Sequence, residues 1–403
     1  MKTLEELTTR CIRCGFCLES CPTFVQTGEE TESPRGRIYL VRSADEGKIK
    51  WEEARPHLDR CLGCRACETA CPSGVEYGQI LELARDRLSQ ESSSLPKEAL
   101  LDGLANPGRL RLQLLLGKLV PGRRIPRVVS RMLSGEPAEA DKPNPQKLYG
   151  WENLDEEGLP PIKGEVYLLE GCVMRVLFAA THQATRRLLR RVGYRVVDVP
   201  SGCCGSLHAH SGSLDEAREF AKKLMQAFPG DLPIITDSAG CGSTMKEYPA
   251  LLSDADSAPA FARRVFDVSE FLLQNGLVKQ LDSAPGLRYK ATYHDACHLA
   301  HGQGIRMAPR ELLEAVPWME MVPLREADMC CGSAGIYNIL QPKMARGLLE
   351  RKWKNLQETE ADLVVLGNPG CHAWIAQAAR EHGGRVRVLH TTEALEAAFS
   401  GLA

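Results

Sequence analysis

Sixteen cysteines fall along this 403-residue sequence in four groups of four, with none left over. Cys11, Cys14, Cys17 and Cys21, followed by Pro22, spell C-x2-C-x2-C-x3-C-P, and Cys61, Cys64, Cys67, Cys71 and Pro72 repeat it 50 positions later. Three thiolates separated by two residues wrap one loop around a [4Fe–4S] cubane and meet three of its irons. The fourth, after three intervening residues, leads the chain away and points toward a neighbouring cubane. The expected ligation is crossed, with Cys11, Cys14, Cys17 and Cys71 on one cluster and Cys61, Cys64, Cys67 and Cys21 on the other. Gly15 and Gly63 sit inside the loops, where a missing Cβ lets backbone amides approach the sulfides. Structural zinc also uses four thiolates, but its sites usually pair two close cysteines with two distant ones. The even triple closed by Cys-Pro favours clusters.

The other eight cysteines form an internal repeat. Cys172, the pair Cys203-Cys204 and Cys241 recur as Cys297, Cys330-Cys331 and Cys371, at offsets of 125, 127 and 130 residues. Their context recurs too, since Gly202-Cys203-Cys204-Gly205-Ser206 matches Met329-Cys330-Cys331-Gly332-Ser333. A single cysteine in such a place is often only a small buried hydrophobe. Adjacent cysteines kept in register across a duplication point instead to a metal site, with zinc and iron–sulfur ligation both open. His208, His210, His294, His298, His301 and His372 lie near these cysteines; taken singly they read as packing or surface residues, and as a group as tuners of a site or proton carriers.

Composition bounds the rest. The length allows two or three domains. Contents of 43% hydrophobic and 25% charged residues are those of a globular protein. A net charge of −2 gives no support to nucleic-acid binding. A framework of eight disulfides belongs to small secreted domains, whereas residues 1–10 are polar, with Glu5 and Glu6 where a signal peptide needs an apolar stretch. No run approaches the roughly 20 apolar residues of a membrane span. The expectation is a cytoplasmic protein whose membrane contact, on the inner face of the cell membrane, is peripheral.

The elements that must position the thiols divide the chain into four parts. Residues 36–46 and 51–60 read as helices between the two cluster motifs, giving a helical two-cluster ferredoxin domain over 1–90. Prolines 96, 107, 121, 126, 137, 143 and 145 mark a helical connector over 91–162. Within it, residues 108–134 carry seven cations and no acidic residue. Leu112, Leu115, Leu116 and Leu119, then Ile125, Val128, Val129 and Met132, follow helical spacing. Such amphipathic basic helices dock on anionic membranes or pack on a neighbouring domain. Residues 163–280 and 281–403 alternate short apolar strands with helices, which implies a parallel α/β sheet in each copy. The strands are read over 165–170, 195–199 and 233–236, then 290–294, 319–322 and 363–366. Each cysteine group follows a strand end, where open α/β sheets place their ligands. The fold class is α+β multidomain: an all-α-type two-cluster ferredoxin domain, a helical connector and a duplicated α/β module.

Together these features resemble a known family. The two cluster motifs, the words Ser33-Pro34-Arg35-Gly36-Arg37-Ile38-Tyr39-Leu40 and Cys71-Pro72-Ser73-Gly74-Val75, and two CCG-type cysteine-rich modules are similar to the iron–sulfur subunit of bacterial glycolate oxidase. Asp295-Ala296-Cys297-His298-Leu299 and Cys330-Cys331-Gly332-Ser333-Ala334-Gly335 continue the likeness. Related arrangements occur in anaerobic glycerol-3-phosphate dehydrogenase, D-lactate and other 2-hydroxy-acid dehydrogenases and heterodisulfide reductase subunits. The resemblance implies an electron relay in a flavin-dependent oxidoreductase complex. A separate FAD subunit would oxidise glycolate or a similar 2-hydroxy acid, beside a further flavoprotein-like subunit, with quinone as eventual acceptor. No Gly-x-Gly-x-x-Gly run follows a strand, so no dinucleotide site is read in this chain. A zinc-binding scaffold is the alternative from another class. The heterodisulfide reductase module ends in C-x2-C, giving five cysteines; here Thr244 and Trp374 hold the last positions. Four cysteines per copy argue against that five-thiolate centre.

Overall fold

The computed structural model describes residues 2–91, 95–112, 158–253, 255–281 and 288–400. Most of the basic segment read at 108–134 lies outside them, including Leu115, Leu116, Leu119 and every residue of its second stripe.

The N-terminal part is helical. Pro34–Asp45 starts where the Ser33 side chain accepts from the Gly36 amide at 3.0 Å, with Pro34 in the first turn. A Cβ at Gly36 would stand 1.9 Å from the Glu30 carbonyl oxygen, so only glycine lets this helix begin against the preceding turn. Trp51–Asp59 and Tyr77–Glu91 complete the framework. Leu7, Ile38, Val41, Leu58, Ile80 and Leu81 are buried between these helices, and Cys61 and Cys67 belong to the same core.

Each cysteine-rich module is a four-stranded parallel sheet. In the first, β1 (Gly164–Leu168), β2 (Tyr194–Val197), β3 (Ile234–Thr236) and β4 (Val265–Asp267) lie in the order β2-β1-β3-β4. In the second, β5 (Tyr289–Tyr293), β6 (Met319–Val322), β7 (Leu363–Leu366) and β8 (Arg387–His390) repeat it as β6-β5-β7-β8. The sequence reading lacks β4 and β8. The Val-Phe-Asp of β4 and Arg-Val-Leu-His of β8 are too short and too polar to show an apolar run, and only pairing with β3 and β7 makes them strands.

The two modules pack reciprocally. Helix Ala179–Arg191 of the first lies on Thr391–Ser400 of the second, and Val268–Gln274 of the first on Met307–Glu314 of the second. These helices hold equivalent places in the two copies, so the contact has pseudo-twofold form. Equivalent strand residues, Val166 with Ala291, Leu168 with Tyr293 and Ile235 with Val365, are buried in one continuous core that spans both sheets. At its margin Arg191 stacks 3.9 Å from the Phe399 ring centroid, and Thr181 Oγ1 donates to Glu393 at 2.6 Å.

Helix Leu95–Ala105, within the segment read as a connector, docks on the first module. Leu101 and Ala105 are buried, Ala105 beside Cys172 and Cys203, and Lys97 Nζ donates to the Ser211 carbonyl at 2.7 Å. Arg109, read as uncompensated, reaches Asp102 at 4.0 Å across the turn preceding it.

Candidate metal centres

The sixteen cysteines are all free thiols. Cys11, Cys14, Cys17 and Cys71 line one cavity, which Cys67 also reaches, and Cys21, Cys61, Cys64 and Cys67 line a second. The two loops turn alike. Arg13 and Gly15 in the first loop, and Gly63 and Arg65 in the second, all take the left-handed conformation, at φ 59°, 88°, 64° and 64°. That conformation costs a residue with a side chain about 1–2 kcal/mol. It builds a concavity of backbone amides of the kind that cradles iron–sulfur clusters. Loop shape and donors fit one cubane per loop.

The two thiol sets differ in exposure. Cys14 is exposed, and beside it Ile12 and Phe16 stand 67% and 70% exposed. Cys21, Cys61, Cys64 and Cys67 are buried. Burial pushes the Cys17 thiol up to about 11 and raises Cys64 and Cys67 well above the ordinary range. Only a bound cation makes thiolates favourable there, so loading must release protons.

Around the inner set lies a polar network that the sequence reading missed. Glu32 is fully buried and accepts from Arg37 Nη2 at 2.7 Å and Arg60 Nη1 at 2.7 Å, with His57 Nδ1 at 2.6 Å. Burial disfavours its charge, yet His57, Arg60 and Arg37 hold its carboxyl below the usual range. Arg37 is buried as well, with Nη1 3.9 Å from Cys21 Sγ. Tyr77 donates to Cys61 Sγ at 3.6 Å. A fixed cation and a phenol thus face the sulfurs of this set.

In the modules every cysteine group follows a strand: Cys172 after β1, Cys203-Cys204 after β2, Cys241 after β3, and their counterparts after β5, β6 and β7. In the order 2-1-3-4 these carboxyl ends flank the switch point between the central strands. The sulfurs converge. Cys172 Sγ lies 3.4 Å from Cys203 Sγ. Hydrogen bonds from Cys172 and Cys204 lower the Cys203 thiol, and those from Cys330 and Cys371 lower Cys331. Each module therefore gathers its thiols around one readily ionised sulfur, a donor set suited to zinc or iron. The loop bearing Cys330 and Cys331 is pinned by Glu326, which takes Arg351 at 2.6 and 2.8 Å and Asn355 at 3.0 Å.

The inner loop also belongs to the second module. Leu62, Cys64 and Ala66 share a core with Cys330, Cys331 and Cys371. Thr69 bonds His301 at 2.9 Å and Tyr337 donates to the Arg60 carbonyl at 2.8 Å, while Arg65 bonds Glu247 of the first module. A cavity of about 520 Å³ opens onto Cys61 together with Cys172, Cys203, Cys297, Cys330 and other thiols of both modules. Leu62, Leu88, Leu100, Leu104 and Leu177 contribute its apolar wall.

The histidines divide by role. His210 bonds Glu82 at 2.7 Å and meets the His298 ring at 4.7 Å between centroids. His208 is buried against Phe220, and His372 meets Phe178 edge-on at 5.2 Å. Among the described residues, His294 alone joins a trio of metal-ligating type, with Cys331 and Cys371, all donor atoms within 4.8 Å of one another.

Comparison with known proteins agrees with this geometry. Residues 7–75 match the 4Fe-4S dicluster domain, and residues 166–246 and 291–376 each match the cysteine-rich domain CCG. The chain is 37% identical to the probable glycolate oxidase iron-sulfur subunit of Bacillus subtilis strain 168, over 96% of this chain and 92% of that protein. It is 32% identical to the glycolate oxidase iron-sulfur subunit of Escherichia coli K12, over 98% and 95%. Lactate utilization protein A of Geobacillus kaustophilus is 32% identical over 58% of this chain and 99% of that protein. With the eight N-terminal cysteines of a two-[4Fe–4S] domain and the duplicated cysteine-rich module, the chain belongs to the family of glycolate oxidase iron–sulfur subunits.

Proposed function

We propose that this chain relays electrons within a complex that oxidises glycolate or a related 2-hydroxy acid, from a separate FAD subunit toward quinone. One observation carries the reading: the thiol sets stand in series. The outer set meets solvent, the inner set is buried between it and the second module, and the inner Cys61 shares one cavity with thiols of both modules. The clusters supply one-electron storage, which divides a flavin's two-electron oxidation into single steps. The protein supplies order and insulation. Ile12 and Phe16 offer the apolar face on which a flavoprotein would seat beside Cys14. Arg37 and Tyr77 tune the inner set, and the leucine wall of the shared cavity suits a lipophilic acceptor.

The crossed ligand assignment is part of this proposal: Cys11, Cys14, Cys17 and Cys71 for the outer cluster, Cys61, Cys64, Cys67 and Cys21 for the inner. Cys172, Cys203, Cys204 and Cys241, and Cys297, Cys330, Cys331 and Cys371, are proposed as ligands of further metal. The likeness to lactate utilization protein A keeps lactate within the substrate class. No described helix is long and apolar enough to cross a membrane. Contact with the inner face of the cell membrane through residues 108–134 therefore rests on the basic sequence pattern.

The deciding experiment uses the assembled complex carrying Cys64→Ala. Substrate should still reduce the flavin, while electron delivery to a quinone analogue falls at least a hundredfold. Delivery at the normal rate, or a colourless preparation with zinc in place of iron, would refute the relay.

A further inference from the structure

His294 is the first residue beyond β5, three positions before Cys297. It is fully buried. Its Nδ1 lies 3.0 Å from the carbonyl oxygen of Ala327. A carbonyl can only accept, so Nδ1 carries the proton and Nε2 keeps its lone pair. Nε2 is buried and finds no hydrogen-bond partner among the described residues. Leaving such an atom dry and unpaired costs about 1–3 kcal/mol, and the imidazole stands with the sulfurs of Cys331 and Cys371 in a cluster no wider than 4.8 Å. A ring with one nitrogen tied to a backbone carbonyl and the other still available beside thiols is the usual arrangement of a metal-bound histidine. The carbonyl is itself held, taking the Asp295 amide at 3.1 Å and Lys352 Nζ at 3.3 Å.

The first module differs at this point. One residue beyond β1, three before Cys172, stands Leu169, buried in a core with Cys204 and Met245. The first module's His208 lies with Nε2 3.7 Å from Asp102. No second trio of metal-ligating type forms among the described residues.

We propose that His294 is a metal ligand, so that the second module holds a mixed imidazole–thiolate centre with Cys331, Cys371 and a further cysteine of its group, whereas the first module's centre is thiolate-only. This rests on the reading that the module cysteines bind metal. The donor set accepts either zinc or an iron of a cluster. In both, a neutral nitrogen replaces an anionic sulfur; on iron this raises the reduction potential, as it does where histidines replace cysteines in two-iron centres.

The test uses the full chain, purified anaerobically, with and without ¹⁵N-histidine. Iron, sulfide and zinc are counted per chain, zinc is examined by X-ray absorption, and iron by pulsed EPR after reduction. The result expected is one nitrogen ligand among sulfurs, at about 2.0 Å beside about 2.3 Å for zinc, or a nitrogen coupling that changes with ¹⁵N for iron. In His294→Leu, which installs the first module's residue, that signal disappears and the metal is retained at least tenfold less tightly. Extra metal bound by sulfur alone in the unmodified protein overturns the proposal while sparing the reading beneath it. A chain holding its two ferredoxin clusters and no further metal overturns both. The unmodified protein gives the ligand signature directly, so the outcome does not depend on how well the variant folds.

Discussion

The imidazole Nε2 of His298 lies 3.0 Å from the carbonyl oxygen of Gly63, joining the second module to the inner cluster loop across 235 positions of sequence. Gly63 stands between Cys61 and Cys64, and His298 directly follows Cys297. The bond therefore fixes the spacing between two thiol sets. In His298→Ala the half-buried Gly63 carbonyl loses its donor, at a cost of about 0.5–1.5 kcal/mol. The expected outcome is a lower thermal midpoint and slower electron exit from the inner cluster, with iron content unchanged. Calorimetry and stopped-flow reoxidation check the two parts separately.

The exposed pair at the outer loop gives a prediction about assembly. Ile12→Ser with Phe16→Ser removes apolar surface without touching a thiol or a hydrogen bond. Affinity for the flavoprotein subunit should fall at least tenfold, while visible absorbance and stability of the free chain stay as they were. Titration calorimetry between the separated subunits reads this directly.

Arg37 and Glu32 form a salt bridge with almost no solvent contact on either side. Breaking such a pair typically costs about 3–5 kcal/mol, since the survivor stays buried and charged. Arg37→Met should destabilise the N-terminal domain by that order. It should also lower the inner cluster's reduction potential, because a cation beside Cys21 is lost. Arg37→Lys should recover the charge effect but not the full stability, as the ammonium cannot serve Glu32, Thr23 and the His57 carbonyl together. Denaturant titration and redox potentiometry distinguish these.

Glu326 makes stability depend on acidity. Its carboxyl is held at about 2 by Arg351, with burial opposing and Asn355 and Arg325 adding to the effect. A carboxyl whose folded value is depressed stabilises the fold above its ordinary value of 4.5. That contribution fades as pH falls from about 4.5 to about 2. Glu326→Gln should flatten the stability profile in that window and lower the thermal midpoint at neutral pH by about 2–4 °C. Thermal melts across pH check both.

What the sequence discloses follows from what local chemistry controls. Eight cysteines in two runs are spaced by the cubane they wrap, so their signature is contiguous. β1 and β7 carry apolar runs, and the register of the duplication exposes the remaining cysteines. Contacts made only by folding leave no such trace. His298 and Gly63 are strangers in sequence, and the partners of Arg37 scatter over Thr23, Glu32 and His57. Helix Leu95–Ala105 reads as part of a connector because Ser92–Ser94 before it and the prolines at 96 and 107 outweigh two buried apolar contacts. His294 stands in the open as one of six nearby histidines; only its folded place beside Cys331 and Cys371 singles it out.

The reciprocal packing of the modules bears on how such a chain can change. Each helix that Ala179–Arg191 and Val268–Gln274 meet across the seam is the counterpart of the other, which is the form of a symmetric dimer whose subunits have become covalently joined. Tethering makes partner capture intramolecular, so neither half need any longer recognise a copy of itself. The obligation to remain self-complementary ends there, and a substitution on one side no longer appears on both. Leu169 and His294 are what that freedom permits: one ancestral position, read twice, with two different chemistries.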